Sequence, residues 1–348
     1  MTDCIIVGGG IMGMLSARAL KQHGLDVLVL DKGELGKEAS WAGGGILSPL
    51  HPWRYSEKVN SLANIGHNIY PKVAEELQQE SGIDPEYTRS GMLVLDSEEK
   101  QQALKWADHW DMNLSVIDDQ KELQEICPGL SNRFKSGLFL PDIAQMRNPR
   151  LVKAARGSLD ALGIRYQENT EVTSLIVENN RVKGVVANGE KILAEHVLIA
   201  SGAWSADLLK PYQNEPEIEP VKGQMILFKG PEDALKRILL LENRYLIPRR
   251  DGRVLCGSTI EHTGFEKEIS DEVRLELTDS AIDIFPELAN MEIEHHWAGL
   301  RPGSPKGDPF IGQHHEVEGL YINAGHYRNG VILCIASAQY VANLIARN

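Results

Sequence analysis

The sequence predicts an α/β protein carrying an inserted α+β part with a mostly antiparallel sheet. Three observations predict it. The chain opens with a short apolar run, a glycine turn, a helical stretch and a second apolar run, which together make a βαβ unit. Apolar runs of the same kind recur in the middle of the chain and near its end. Between them lie short strands punctuated by Asn-Gly and Asp-Gly turns.

In chain order, residues 4–7 read as a buried strand, followed by the turn Gly8-Gly9-Gly10-Ile11-Met12-Gly13 and a helix to His23, with Gly24 as its stop. Residues 27–30 form the second strand, which ends at Asp31. Residues 34–50 read as a loop rich in Gly and Ser. Residues 59–79 have the pattern of an amphipathic helix with Pro71 inside it, a core-packing element. A strand at 91–96, a helix at 98–110 and a strand at 138–141 follow. Asn148-Pro149 reads as a capping residue and first-turn proline of a helix that ends at Gly163. Residues 164–199 read as strands with turns at Asn179-Asn180 and Asn188-Gly189. Strands at 224–228, 245–248 and 254–257, a helix at 272–284, a strand at 320–323 and a helix from Gly330 complete the series.

This order assigns residues 1–44, 57–80, 147–219 and 300–348 to one discontinuous α/β domain. Residues 45–56, 81–146 and 220–299 go to the inserted one. A length of 348 residues suits two domains, and 42% hydrophobic residues suit a large core. The net charge of −13 argues against nucleic acid or an anionic membrane as partner. Cys4, Cys127, Cys256 and Cys334 show neither metal-ligand spacing nor a disulfide framework, which predicts reduced thiols, no metal and a cytoplasmic protein. No leader peptide and no run of roughly 20 apolar residues is visible, so no membrane span is expected.

The glycine turn follows a strand, opens a helix and precedes a strand that ends in an acid, which is the Rossmann-type context for a dinucleotide. Gly8 permits the tight turn, Gly10 the approach of a pyrophosphate, and Gly13 close helix–strand packing. The helix N-terminus offers N–H groups to phosphate. Asp31 suits ribose hydroxyls and disfavours a 2′-phosphate. The motif alone does not separate FAD from NAD. Its place at the N-terminus, and a second buried strand running into Ser201-Gly202-Ala203, favour FAD.

Seven segments in order along the chain carry a further signal: residues 4–13, 40–49 (SWAGGGILSP), 197–205 (VLIASGAWS), 220–224 (PVKGQ), 245–249 (YLIPR), 297–303 (WAGLRPG) and 324–330 (AGHYRNG). Together they resemble the glycine oxidase branch of the D-amino-acid-oxidase-like FAD family. The resemblance implies non-covalent FAD and oxidative deamination of glycine, sarcosine and small D-amino acids. Hydride transfer to the flavin would give an imine, then an oxo acid and ammonia, with O2 reduced to H2O2. It also implies a role in making the thiazole of thiamine and a homo-oligomer, a tetramer being one form. By the same resemblance Ile11 and Met12 lie at the pyrophosphate, and Asp31 and Lys32 at the ribose. Ala39, Ser40, Gly44, Gly45 and Ile46 run along the pyrophosphate and flavin, and Val172 meets the adenine. Gly202 lies close to the cofactor. His326, Tyr327, Arg328, Asn329, Gly330, Val331 and Ile332 wrap the flavin, with the helix N-terminus stabilising charge there. Trp41 and the glycines at 43–45 depart from some relatives and bear on entry to the site and on substrate range, and the C-terminus at Asn348 falls short of relatives with a longer tail.

Arg301, Tyr245 and Arg328 are the residues the resemblance turns toward the substrate carboxylate. A guanidinium fork matches a carboxylate. Read from context alone, Arg301, in what looks like the loop Gly299-Leu300-Arg301-Pro302-Gly303, suits a surface arginine or a structural ion pair equally well. Tyr245 alone reads as a half-buried strand aromatic, and Arg328 as a solvated charge. No acid–base dyad stands out. His295-His296 and His314-His315 read as structural, since adjacent strand residues face opposite ways. The rival readings are a D-amino-acid or sarcosine dehydrogenase with another acceptor, a flavoprotein without turnover, and an NAD enzyme.

Overall fold

In the strand Thr2–Val7, Cys4 and Ile6 pack into one apolar layer, while Ile5 and Val7 pack into another. Such alternation is what a strand buried on both faces must show. The computed structural model describes residues 2–212 and 216–347. Its first sheet runs in the order Phe310–Gln313, Leu320–Ala324, Glu190–Ile199, Thr2–Val7, Val27–Leu30, Arg165–Gln167. All neighbours are parallel except the first pair. Helices Ile11–Gln22, Glu57–Ser81, Asn148–Ala161 and Gly330–Ile345 cover one face. The antiparallel strands Val172–Glu178 and Arg181–Ala187, paired with the start of Glu190–Ile199, contribute to the layer on the other.

The second sheet has the order Glu292–Gly303, Glu219–Lys229, Arg253–Gly257, Arg244–Pro248, Ile238–Leu241, Met92–Leu95, Gly137–Leu140, Ser115–Ile117. Only the pairing of Ile238–Leu241 with Met92–Leu95 is parallel. Helix Asp271–Ile284 packs on one face. The other buries Met225, Tyr245 and Ile247.

The expected α/β fold with an inserted antiparallel sheet stands, and the structure corrects several local readings. Residues 299–303 are not a loop. They end the twelve-residue strand Glu292–Gly303. Pro302 is tolerated there because this strand lies at the sheet edge, opposite Pro220. Asn148 does not cap its helix. Arg147 holds that position, and the Asn148 amide donates to Ser40 O at 2.8 Å. The glycine-rich loop contains a single helical turn, Ala39–Ala42. Strands Ser115–Ile117, Ile238–Leu241 and Phe310–Gln313 and helix Gln120–Ile126 are additional to the elements expected from the sequence, although the apolar run 238–241 and the Asp119 cap were signals for two of them. The long helix starts at Glu57, where Ser56 Oγ accepts from Val59 N, and runs through Pro71 to Ser81.

The four cysteines are unpaired and buried. Burial pushes the Cys127, Cys256 and Cys334 thiols up to about 12 and Cys4 higher still. Among the described residues no cluster of three His, Cys, Asp or Glu is placed to hold a metal, and no helix is long and apolar enough to cross a membrane.

Candidate active site

The C-terminal ends of four parallel strands, Thr2–Val7, Val27–Leu30, Glu190–Ile199 and Leu320–Ala324, open onto a cavity of about 450 Å³. Strand Thr2–Val7 has Val27–Leu30 on one side and Glu190–Ile199 on the other, so the cavity sits where the strand order reverses. The second sheet closes it with Met225, Tyr245, Leu300 and Arg301.

The glycine turn is built for close approach. Gly8 has φ +107°, and a Cβ there would lie 2.5 Å from Ala200 O. A Cβ on Gly13 would lie 1.8 Å from Gly8 O, so the helix can sit against the turn only without a side chain at this position. Gly10, Ile11 and Met12 line the cavity. Ile11 N donates to Ser40 Oγ at 2.9 Å, which ties the distant glycine-rich loop to the helix start. Asp31 lies at the end of its strand. Its Oδ2 accepts from Gly9 N at 2.7 Å and its Oδ1 from Gly33 N at 2.8 Å. Each oxygen keeps a lone pair for a further donor. Lys32, Ala39, Gly44, Gly45, Ile46, Val172 and Gly202 also line the cavity.

Arg249 holds the glycine loop in place. Its buried guanidinium donates to Gly44 O at 2.7 Å, Met146 O at 3.0 Å and Gln145 Oε1 at 2.6 Å. Burial pushes it down to about 10, with the Arg147 charge adding to the effect.

Arg301 enters the cavity from its edge strand. Its Nη2 donates to Ser258 Oγ at 2.6 Å, and its Nη1 to Thr259 O at 3.2 Å and Lys222 O at 3.3 Å. Among the described residues its hydrogen-bond acceptors are a hydroxyl and two backbone carbonyls, and no carboxylate forms an ion pair with it. Burial pushes its guanidinium below the ordinary value, an effect that Tyr245 opposes and Arg328 reinforces. Gly223 makes room for it, since a Cβ there would stand 2.1 Å from Nη2. Gly223→Ala is therefore expected to raise KM for the substrate at least tenfold, with bound FAD unchanged. Steady-state kinetics and the flavin absorbance of the purified variant check this.

Tyr245 lies on Arg244–Pro248 with its hydroxyl 3.7 Å from Met225 Sδ. Arg328 donates from Nη1 to Asn243 Oδ1 at 2.8 Å, and its buried Nη2 has no partner among the described residues. His326, Tyr327, Gly330 and Val331 line the cavity at the start of helix Gly330–Ile345. His326 is buried against Ser337 Oγ at 3.0 Å, and burial pushes it down to about 3, so it is neutral. Gly13, Asn329 and Ile332 stand one layer behind the wall.

The sequence reading missed several wall residues. Asn323 is fully buried, donates to Ser16 Oγ at 3.2 Å, and leaves Oδ1 without a partner. A lone amide in the apolar strand 320–324 was the available signal. Trp204 lay within the segment 197–205 without being singled out, and Glu171 and Met225 had no signal. The orphaned Asn323 and Arg328 atoms, the side-chain-free turn and the Asp31 lone pairs fit a bound dinucleotide with a polar ligand beside it.

Residues 3–344 match the family model described as FAD dependent oxidoreductase. The chain is 44% identical to a glycine oxidase of Pseudomonas aeruginosa, over 98% of this chain and 94% of that one. It is 30% identical to a bifunctional protein ThiO/ThiG of Trichormus variabilis, over 99% of this chain and 52% of that one. The crystal structure of glycine oxidase from Geobacillus kaustophilus superposes with a TM-score of 0.94 at 29% identity, over 100% of this chain and 95% of that one. The chain thus belongs to the FAD-dependent oxidoreductase family, and the cavity at its strand ends, with a side-chain-free glycine turn, fits that cofactor.

Proposed function

We propose that the chain oxidises glycine and other small amino acids or amines, sarcosine and small D-amino acids among them, to the imine, which water converts to oxo acid and ammonia. The observation that carries this reading is Arg301: a guanidinium in the cavity wall, held by neutral acceptors only and so available to an acid. Its fork would bind the substrate carboxylate in two parallel hydrogen bonds. Tyr245 would add its hydroxyl, and Arg328 its unpartnered Nη2. Gly8, Gly10, Ile11, Met12, Asp31, Lys32, Ala39, Ser40, Gly44, Gly45, Ile46, Val172, Gly202, His326, Tyr327, Arg328, Gly330 and Val331 would hold the cofactor, backed by Gly13, Asn329 and Ile332, on a domain made of 1–44, 57–80, 147–219 and 300–348. FAD, when bound there, would supply a two-electron acceptor that O2 could reoxidise with formation of H2O2. What this asks of the protein is alignment of the Cα–H bond and exclusion of water, which a fixed carboxylate and an apolar wall provide. The positive end of helix Gly330–Ile345 favours negative charge at the cofactor end of the cavity.

The test is anaerobic: purified yellow protein is mixed with glycine, sarcosine or D-alanine, and air is then readmitted. Bleaching followed by rapid recolouring with H2O2 supports the proposal. No bleaching with any of them removes it, and bleaching with slow recolouring favours a dehydrogenase with another acceptor. A cytoplasmic homo-oligomer serving thiamine supply suits the near-full-length likeness to glycine oxidases and the match to a ThiO/ThiG protein.

A further inference from the structure

Residues 260–269 leave strand Arg253–Gly257 and reach helix Asp271–Ile284 by a detour to the other sheet's ligand-binding end. The base of this loop is tied firmly. Lys222 N donates to Glu261 O at 2.9 Å, and Glu261 N to Lys222 O at 3.0 Å. Lys222 Nζ meets the Glu261 carboxylate at 2.8 Å and donates to Glu268 O at 3.0 Å. Ser270 N donates to Gln224 Oε1 at 3.2 Å.

The tip is held differently. Phe265 stacks on Trp204, with ring centroids 5.3 Å apart and planes at 23°. Lys267 Nζ donates to both oxygens of Glu38, at 2.9 and 3.0 Å. Lys32 Nζ lies 3.6 Å from the centroid of the same Trp204 ring. Trp204, Glu38 and Lys32 all line the cavity, whereas Phe265 and Lys267 do not. Lys32 is exposed and Trp204 and Glu38 half-buried, so this part of the wall is its mouth. Phe265 itself is 44% exposed. One open ring stack and one solvated ion pair hold little against thermal motion. The loop therefore has a rigid base and an easily freed tip.

We propose that residues 260–269 are a clasp that governs retention of FAD. Closed, the tip fixes Trp204 and Glu38 at the mouth. Open, it releases both, and the cofactor can exchange. The clasp rests on FAD binding and not on which amino acid is oxidised.

Release of FAD from the holoenzyme, followed by free-flavin fluorescence on dilution, tests it. Phe265→Ala and Lys267→Met should each speed release by roughly three- to tenfold. Phe265→Trp should restore the slow rate. Wild-type release should quicken as salt is raised, and Lys267→Met should lose most of that dependence, because salt screens exposed ion pairs. KM for glycine at saturating FAD should not move. Unchanged release in both variants overturns the proposal. So does a changed KM with unchanged release, which would place the loop's influence at the substrate instead. Melting curves of the two variants, expected near wild type because both side chains are exposed, keep the comparison free of folding effects.

Discussion

Arg301→Ala is expected to lower kcat/KM for amino acids by roughly a hundred- to a thousandfold, chiefly through KM, while the protein remains yellow. Removing one partner of a desolvated charge pair costs about 2–5 kcal/mol, which spans this range. The loss falls on KM because the carboxylate is held alike in the ground state and during reaction. Arg301→Lys should recover only part of it, since an ammonium keeps the charge but not the fork. FAD should stay because the glycine turn, Asp31 and the Ser40 contact to Ile11 N do not depend on Arg301. Steady-state kinetics with flavin spectra provide the measurement. Wild-type kinetics in Arg301→Ala would remove Arg301 from substrate binding.

Gly13→Ala should give a colourless protein, or one that holds FAD at least a hundredfold more weakly. The added methyl would stand 1.8 Å from Gly8 O. Unlike a side chain, a backbone carbonyl in a buried turn has no rotamer to retreat into, so the turn or the helix must shift. Either shift moves Gly10 and the N–H groups of the first helical turn away from a phosphate. Gly24→Ala is the companion control, because nothing lies within 4 Å of a Cβ there, although its φ of +87° makes it cost some stability. Equilibrium titration of apoprotein with FAD distinguishes the two. Tight FAD binding by Gly13→Ala would show that this turn does not grip the cofactor.

The opening βαβ unit was legible because its signals are local. Strand, glycine spacing, helix and acid lie within about thirty residues, each with its own physical reason. Arg301 was legible as a residue but not as part of an element. Two glycines and a proline read as a loop, and only sheet-edge placement opposite Pro220 makes them a strand. Asn148 carried a cap signature, yet tertiary contact with Ser40 O claimed its side chain. Gly223, which clears space for Arg301, and Trp204, at the cavity mouth, lie in the segments 220–224 and 197–205, yet nothing local marks either as a site residue. Their importance arises from approaches across 78 and 61 positions, which no local pattern records.

The deep placement of all four thiols has a consequence for durability. Peroxide, the proposed by-product, attacks the sulfur anion far faster than the protonated form. With acidities pushed to about 12 at Cys127, Cys256 and Cys334, almost none of that anion exists at neutral pH. A catalyst of the proposed activity, which would generate an oxidant at each turnover, thus withholds its thiols from it.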